Sequence, residues 1–169
     1  MAKVLNGRYM ADVSQFGDEI VIFMLGIRFN NPWKVRLWWP VITAMPKMVD
    51  YLEEHPEKGL LGCRTSYLPP LVVQYWRSFS DLERFARNAD DPHLEPWRQF
   101  NRRVGKSGHV GIWHETYRVK TSDIETAYGN MPPNGLGAVS AMLPVTRGKD
   151  SAAARLGVTD RDEPAIPPY

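Results

Sequence analysis

The chain has 169 residues, 43% hydrophobic and 24% charged, the size and balance of one soluble domain with its own core. Lys and Arg number 21 against 19 Asp and Glu, and a net charge of +2 is too small to point to nucleic acid as a partner. A single cysteine, Cys63, excludes an intrachain disulfide, and no apolar leader-like stretch follows Lys3 and Arg8, so the expected location is cytoplasmic.

Residues 1–18 show no strong period and read as an irregular N-terminal arm. Ile20 to Phe29 form a short apolar run, β-branched at its start, and read as a buried strand. A helix follows, with Asn31 as its cap and Pro32 in its first turn. Trp33, Leu37, Val41, Met45, Met48 and Leu52 recur every three or four residues and give it one apolar face. Pro40 and Pro46 are expected to kink or split it, and it stops near His55 and Pro56. "LLGCRTSYL" and "LVVQYWRSF" read as two strands joined as a hairpin at Pro69 and Pro70.

"SDLE", from Ser80 to Glu83, has the form of a capping box and opens a short helix with Leu82 and Phe85. The next helix takes Asp91 as cap and Pro92 as first residue. Trp97, Phe100 and Val104 form its stripe, and Gly105 stops it. "HVGIWHETYRV" is a fourth strand. The order β-α-β-β-α-β over residues 19–145 predicts an α+β fold with a ferredoxin-like split sheet. One face of that sheet carries the helices, and a second subunit is the usual cover for the other. Residues 146–169 are small, charged and Pro-rich, and read as a flexible C-terminal tail.

His114 lies in the fourth strand between Trp113 and Glu115. "HETYR" begins like the zinc motif H-E-x-x-H, but Arg118 stands in the last position and a strand cannot bring residues four apart together. "GKS" at 105–107 ends like a P-loop, but Phe100 occupies the place of the required glycine. Cys63 reads as a small buried hydrophobe. Alternation puts Val110, Ile112, His114 and Thr116 on one face, and Gly111, Trp113, Glu115 and Tyr117 on the other. The residues leave three roles open for His114: a core histidine bonded to a carbonyl, a general base, or a haem-iron ligand.

"LVVQYWRSFSDLERFARNADDPHLEPWRQFNRRVG", followed by "VGIWHETY" and "YGNMPP", resembles a family of small monooxygenase-like proteins, bacterial and fungal, that includes a fungal polyketide hydroxylase. The match runs over roughly residues 15–140. Its specific pieces are Gln74 to Ser78, Asp91 to His93, and Trp113 to Tyr117. The resemblance implies a homodimeric α/β barrel with a pocket between each sheet and its helices. Related barrels include cofactor-free quinone-forming monooxygenases, haem-degrading enzymes and haem-dependent aldoxime dehydratases.

The resulting expectation is a monooxygenase-type oxidoreductase acting on a small apolar or aromatic substrate. His114 is the base or the haem ligand, and the enzyme either binds haem or needs no cofactor. Tyr75, Trp76 and Trp113 shape the pocket. Arg28 or Arg77 pairs with an anionic substrate group or a haem propionate. The rival is a non-catalytic dimer that binds haem or another small ligand. A membrane-surface role for Trp33, Trp38 and Trp39 beside Lys34 and Arg36 ranks last.

Overall fold

The structure is a computed structural model and describes residues 3–158. The chain forms two compact units: a central one, Ile20–Arg118, and a terminal one made of Met1–Glu19 with Val119–Tyr169. Its class is α+β, and the described residues form a three-stranded and a four-stranded sheet, antiparallel at each described pair.

The central unit follows the expected order. Strand β2 (Glu19–Phe29) leads to helix α1 (Val35–Glu54), strands β3 (Leu60–Tyr67) and β4 (Pro70–Trp76), helices α2 (Phe79–Arg87) and α3 (Leu94–Arg103), and strand β5 (Val110–Lys120). Strand β2 runs between β4 and β5, with Val21 opposite Trp76 and Gly26 opposite Leu71. The core joins sheet to helices through Val21, Leu52, Leu60, Trp76, Leu82 and Phe85. Each fully buried large apolar side chain in such a cluster contributes about 1.5–3 kcal/mol.

The helix boundaries differ from the sequence reading. Helix α1 begins at Val35, because Asn31 and Pro32 are used in a preceding turn in which Lys34 N donates to Asn31 O at 3.2 Å. The helix is not split at Pro40 or Pro46; packing of its apolar stripe, Met48 and Leu52 above all, holds it together across both prolines. Helix α2 is capped two residues earlier than expected: Ser78 Oγ accepts from Asp81 N at 3.1 Å and donates to the Asp81 carboxylate at 2.8 Å. Asp91 does not cap α3. Its carboxylate is buried and accepts from Tyr51 Oη and Lys58 Nζ, each at 2.7 Å, and from Asn88 Nδ2 at 3.1 Å.

The terminal unit corrects the reading of residues 1–18 as irregular. Strand β1 (Leu5–Ala11) lies between β6 (Tyr128–Met131) and β7 (Met142–Pro144). Its register shifts between Leu5 and Arg8, where Gly7 has φ near +100° and donates its N–H to Asn130 Oδ1 at 2.8 Å. Within the segment read as a flexible tail, helix α4 (Ala152–Leu156) is anchored by Arg155, whose side chain donates to Glu125 at 2.6 Å and to the carbonyls of Lys149 and Asp150. Residues 159–169 of that segment lie outside the described residues.

Candidate functional site

Three alternations decide which face of the central sheet looks at the helices. Val21, Phe23 and Leu25 of β2, Gln74 and Trp76 of β4, and Ile112 and His114 of β5 all point to the helix side. Between them and helices α1, α2 and α3 lies a cavity of about 400 Å³. Leu37, Val41, Met45 and Met48 of α1 form one wall, and Leu82, Phe85, Trp97 and Phe100 form another. Phe79 and Trp97 line it while remaining partly exposed, so the cavity is open to solvent.

Its polar groups are few. The His114 ring lies 5.5 Å from that of Phe23, and among the described residues neither imidazole nitrogen has a hydrogen-bond partner. Gln74 is buried, and its Oε1 accepts from Trp76 Nε1 at 3.0 Å. His93 Nδ1 lies 3.2 Å from the carbonyl of Ala86. A carbonyl can only accept, so Nδ1 carries the proton and the neutral ring keeps Nε2 as an acceptor. Burial pushes His93 below its ordinary pKa, and the carbonyl bond partly offsets this. Among the described residues the one carboxylate on the cavity lining, Glu83, is paired with Arg87 at 2.9 Å.

The structure therefore brings together two of the six residues expected at the site. Trp76 and His114 line the cavity. Tyr75 alternates with Gln74 and Trp76 and takes the other face of β4. Trp113 also takes the other face, where its indole lies over Gly26; a Cβ on that glycine would come within 2.6 Å of Trp113 Nε1. Arg28 is exposed on that same face, its Cβ 3.7 Å from where a Cβ of Gly111 would stand. Arg77 points elsewhere, donating to Asp81 at 2.9 Å and to the carbonyl of Glu57 at 3.3 Å. Glu115 bonds Tyr117 Oη at 2.5 Å on the outer face and does not touch His114. His93 and Gln74 were not among the expected residues. The signals for them were two pieces of the resemblance, Gln74–Ser78 and Asp91–His93, and a polar residue alternating within an apolar strand.

A haem is a poor fit to this lining. Among the described residues the cavity has no Arg or Lys to face two propionates, and both arginines expected in that role lie off it. No group of three or more His, Cys, Asp or Glu side chains is placed to hold a metal ion among the described residues.

Comparison with known proteins agrees with the geometry at the level of fold and family. Two solved structures of aldoxime dehydratase share the fold. One, in complex with butyraldoxime, has a TM-score of 0.63 at 17% identity over 83% of this chain and 44% of that one. The other has a TM-score of 0.61 at 17% identity over the same shares. Monooxygenase af470 of Aspergillus fumigatus is 30% identical over 158 residues, covering 81% of this chain and 55% of its own length. The chain thus spans about half of that curated relative. Residues 20–136 match the Monooxygenase af470-like model, a span that holds both cavity histidines and every cavity-lining residue, and the chain belongs to the Monooxygenase af470-like family.

Proposed function

We propose that the protein is a monooxygenase-type oxidoreductase whose substrate, small, uncharged and apolar or aromatic, binds in the cavity beside His114. The observation that carries this is the cavity itself: about 400 Å³, walled by apolar side chains, with an imidazole of open ring nitrogens on one wall. Neutral imidazole is a base suited to pH near 7. A substrate with an acidified CH2 group suits it. His114 takes one proton, and the carbanion reduces O2, forming a hydroperoxide at that carbon. Loss of the second hydrogen with cleavage of the O–O bond leaves a carbonyl and one water. That sequence consumes one O2 and requires no further reductant. His93 Nε2 and the amides of Gln74 and Gln99 are further groups on the cavity wall able to orient a substrate oxygen.

The reading includes a homodimer. The sheet face away from the helices carries Arg28, Tyr75 and Trp113, and a second copy would cover it; light scattering at twice the monomer mass is the expected result. Anthrone is a suitable first probe of activity. Oxygen uptake matched one to one by carbonyl product, and abolished in His114→Ala at unchanged circular dichroism, is expected. Anthrone that quenches tryptophan fluorescence without oxygen uptake would favour the second reading, a non-catalytic ligand-binding dimer. The observation on that side is that His114 lacks an orienting partner among the described residues, which a general base ordinarily has.

A further inference from the structure

The two ends of the central unit differ in charge. No Asp or Glu occurs between Glu19 and Asp50, between Glu57 and Asp81, or between Glu95 and Glu115. The fold gathers the turns of these three stretches at one end. Strand β2 finishes there at Phe29 and α1 starts there at Val35. The register Gly26 opposite Leu71 brings the β3–β4 turn, Leu68–Pro69, to the same edge. Asn31 N donates to His109 O at 3.1 Å and Asn30 Nδ2 to Gly108 O at 2.9 Å, which fixes the α3–β5 turn beside them. Lys34, Arg36 and Lys106 are all exposed in this region.

The large apolar residues exposed here are as uneven in their distribution as the charge. Leu68 is 92% exposed, Trp33 89%, Tyr67 76% and Trp39 57%. Single exposed apolar residues are ordinary, but four at one end among cations and without a carboxylate are not. The loop that carries Trp33 is pinned: Trp38 Nε1 donates to Pro32 O at 2.9 Å, the Trp38 ring packs 4.8 Å from Phe29, and Lys34 Nζ donates to His109 Nε2 at 2.8 Å. Trp33 is thus held outward by an ordered scaffold.

We infer that this end of the central unit docks on an anionic phospholipid surface, with Trp33, Trp39, Tyr67 and Leu68 entering the headgroup layer and Lys34, Arg36 and Lys106 meeting its charge. Trp and Tyr favour that layer, and basic residues near it gain from the negative surface potential. A protein partner fits less well, because lysine is depleted from the cores of protein interfaces. No helix among the described residues is long and apolar enough to cross a membrane, so the contact is peripheral. Helix α1 also forms a cavity wall through Leu37, Pro40 and Val41. Resting on the proposed function, this surface is where an apolar substrate dissolved in lipid would enter.

The test is flotation of the full chain with phosphatidylcholine vesicles, with and without phosphatidylserine. Binding to the phosphatidylserine vesicles alone, weakened by added salt, is expected. Arg36→Gln with Lys106→Gln should weaken it on the order of thirtyfold, and Trp33→Ala or Leu68→Ala should weaken it at low salt too. No flotation, or flotation unchanged by these variants at unchanged circular dichroism, overturns the proposal. Loss of vesicle binding to a competing oligonucleotide, or a Leu68→Asp variant that halves the mass in light scattering, assigns the surface to nucleic acid or to self-association and overturns it as well. Flotation does not depend on turnover, so an inactive protein that floats rejects only the enzymatic reading. One that consumes oxygen but does not float rejects only this proposal.

Discussion

The bond from Trp76 Nε1 to Gln74 Oε1 is a buried polar pair on the cavity wall, and its removal has a calculable cost. Trp76 is fully buried and Gln74 is 5% exposed. Trp76→Phe removes the donor and a few ring atoms. The atoms cost about 1–2 kcal/mol, and the orphaned Gln74 oxygen about 1–3 kcal/mol more. Gln74→Leu alone strands the indole N–H at a similar penalty. The double variant strands neither, so it should be less destabilised than the sum of the single changes by both orphan penalties together, about 2 kcal/mol at the least. Urea unfolding followed by far-UV circular dichroism measures this. With a slope near 2 kcal/mol per M, a coupling of 2 kcal/mol is a difference of about 1 M in midpoint. Additivity within about 0.5 kcal/mol would mean that water from the open cavity already satisfies both groups, and the pair would not be the dry contact described.

Acidification should reduce stability in two separate windows. His93 has a lowered pKa in the fold, so from pH 6.5 downward the unfolded chain takes up a proton that the folded chain does not, and stability falls; urea midpoints of His93→Gln should lack that slope. Burial raises the pKa of Asp81 and Asp91, but the donors around each outweigh it and hold both below the ordinary 3.8. Their contribution is complete above pH 3.8 and is lost as pH falls through the lower folded values, a loss that Asp91→Asn should reduce in acid titrations. Gly26→Ala should push the Trp113 ring off the sheet, seen as a red shift of tryptophan emission. An unchanged spectrum would show that the ring does not lie on the glycine. A Cβ on Gly137 would stand 2.5 Å from Met142 Sδ and 2.9 Å from Tyr128 Cζ, so Gly137→Ala should destabilise the terminal unit by about 1–3 kcal/mol, read as a lower midpoint.

The central unit was legible because its elements are long, periodic and punctuated. Strand β2 and the stripe of α1 follow from apolar spacing, and the β3–β4 turn from Pro69 and Pro70. Caps were less legible. Asp91 has the right type and place for a helix cap, yet Lys58 and Tyr51, distant in sequence, claim its oxygens. Strand β1 was missed because Asn6, Gly7 and Arg8 interrupt its pattern and its partners β6 and β7 are only four and three residues long. At the site, alternation separated His114 from Trp113 correctly but could not say which face the helices cover. That is why Arg28, Tyr75 and Trp113 were grouped with a cavity they do not line. His93 reaches the cavity through a loop fold that leaves no period in the sequence.

The place of β1 bears on how this protein can be shortened. Strands β6 and β7 bond to β1 and not to each other, so the terminal sheet depends on a strand that lies outside the family-matched residues 20–136. Asp18 and Gly17 also act as a clasp, their carbonyls accepting from Thr121 N at 2.9 Å and Thr121 Oγ1 at 2.6 Å. A fragment begun at residue 20 would keep every residue of the cavity while losing both strap and buckle. Two unpaired strand edges would be left exposed, ready to pair with other chains and aggregate.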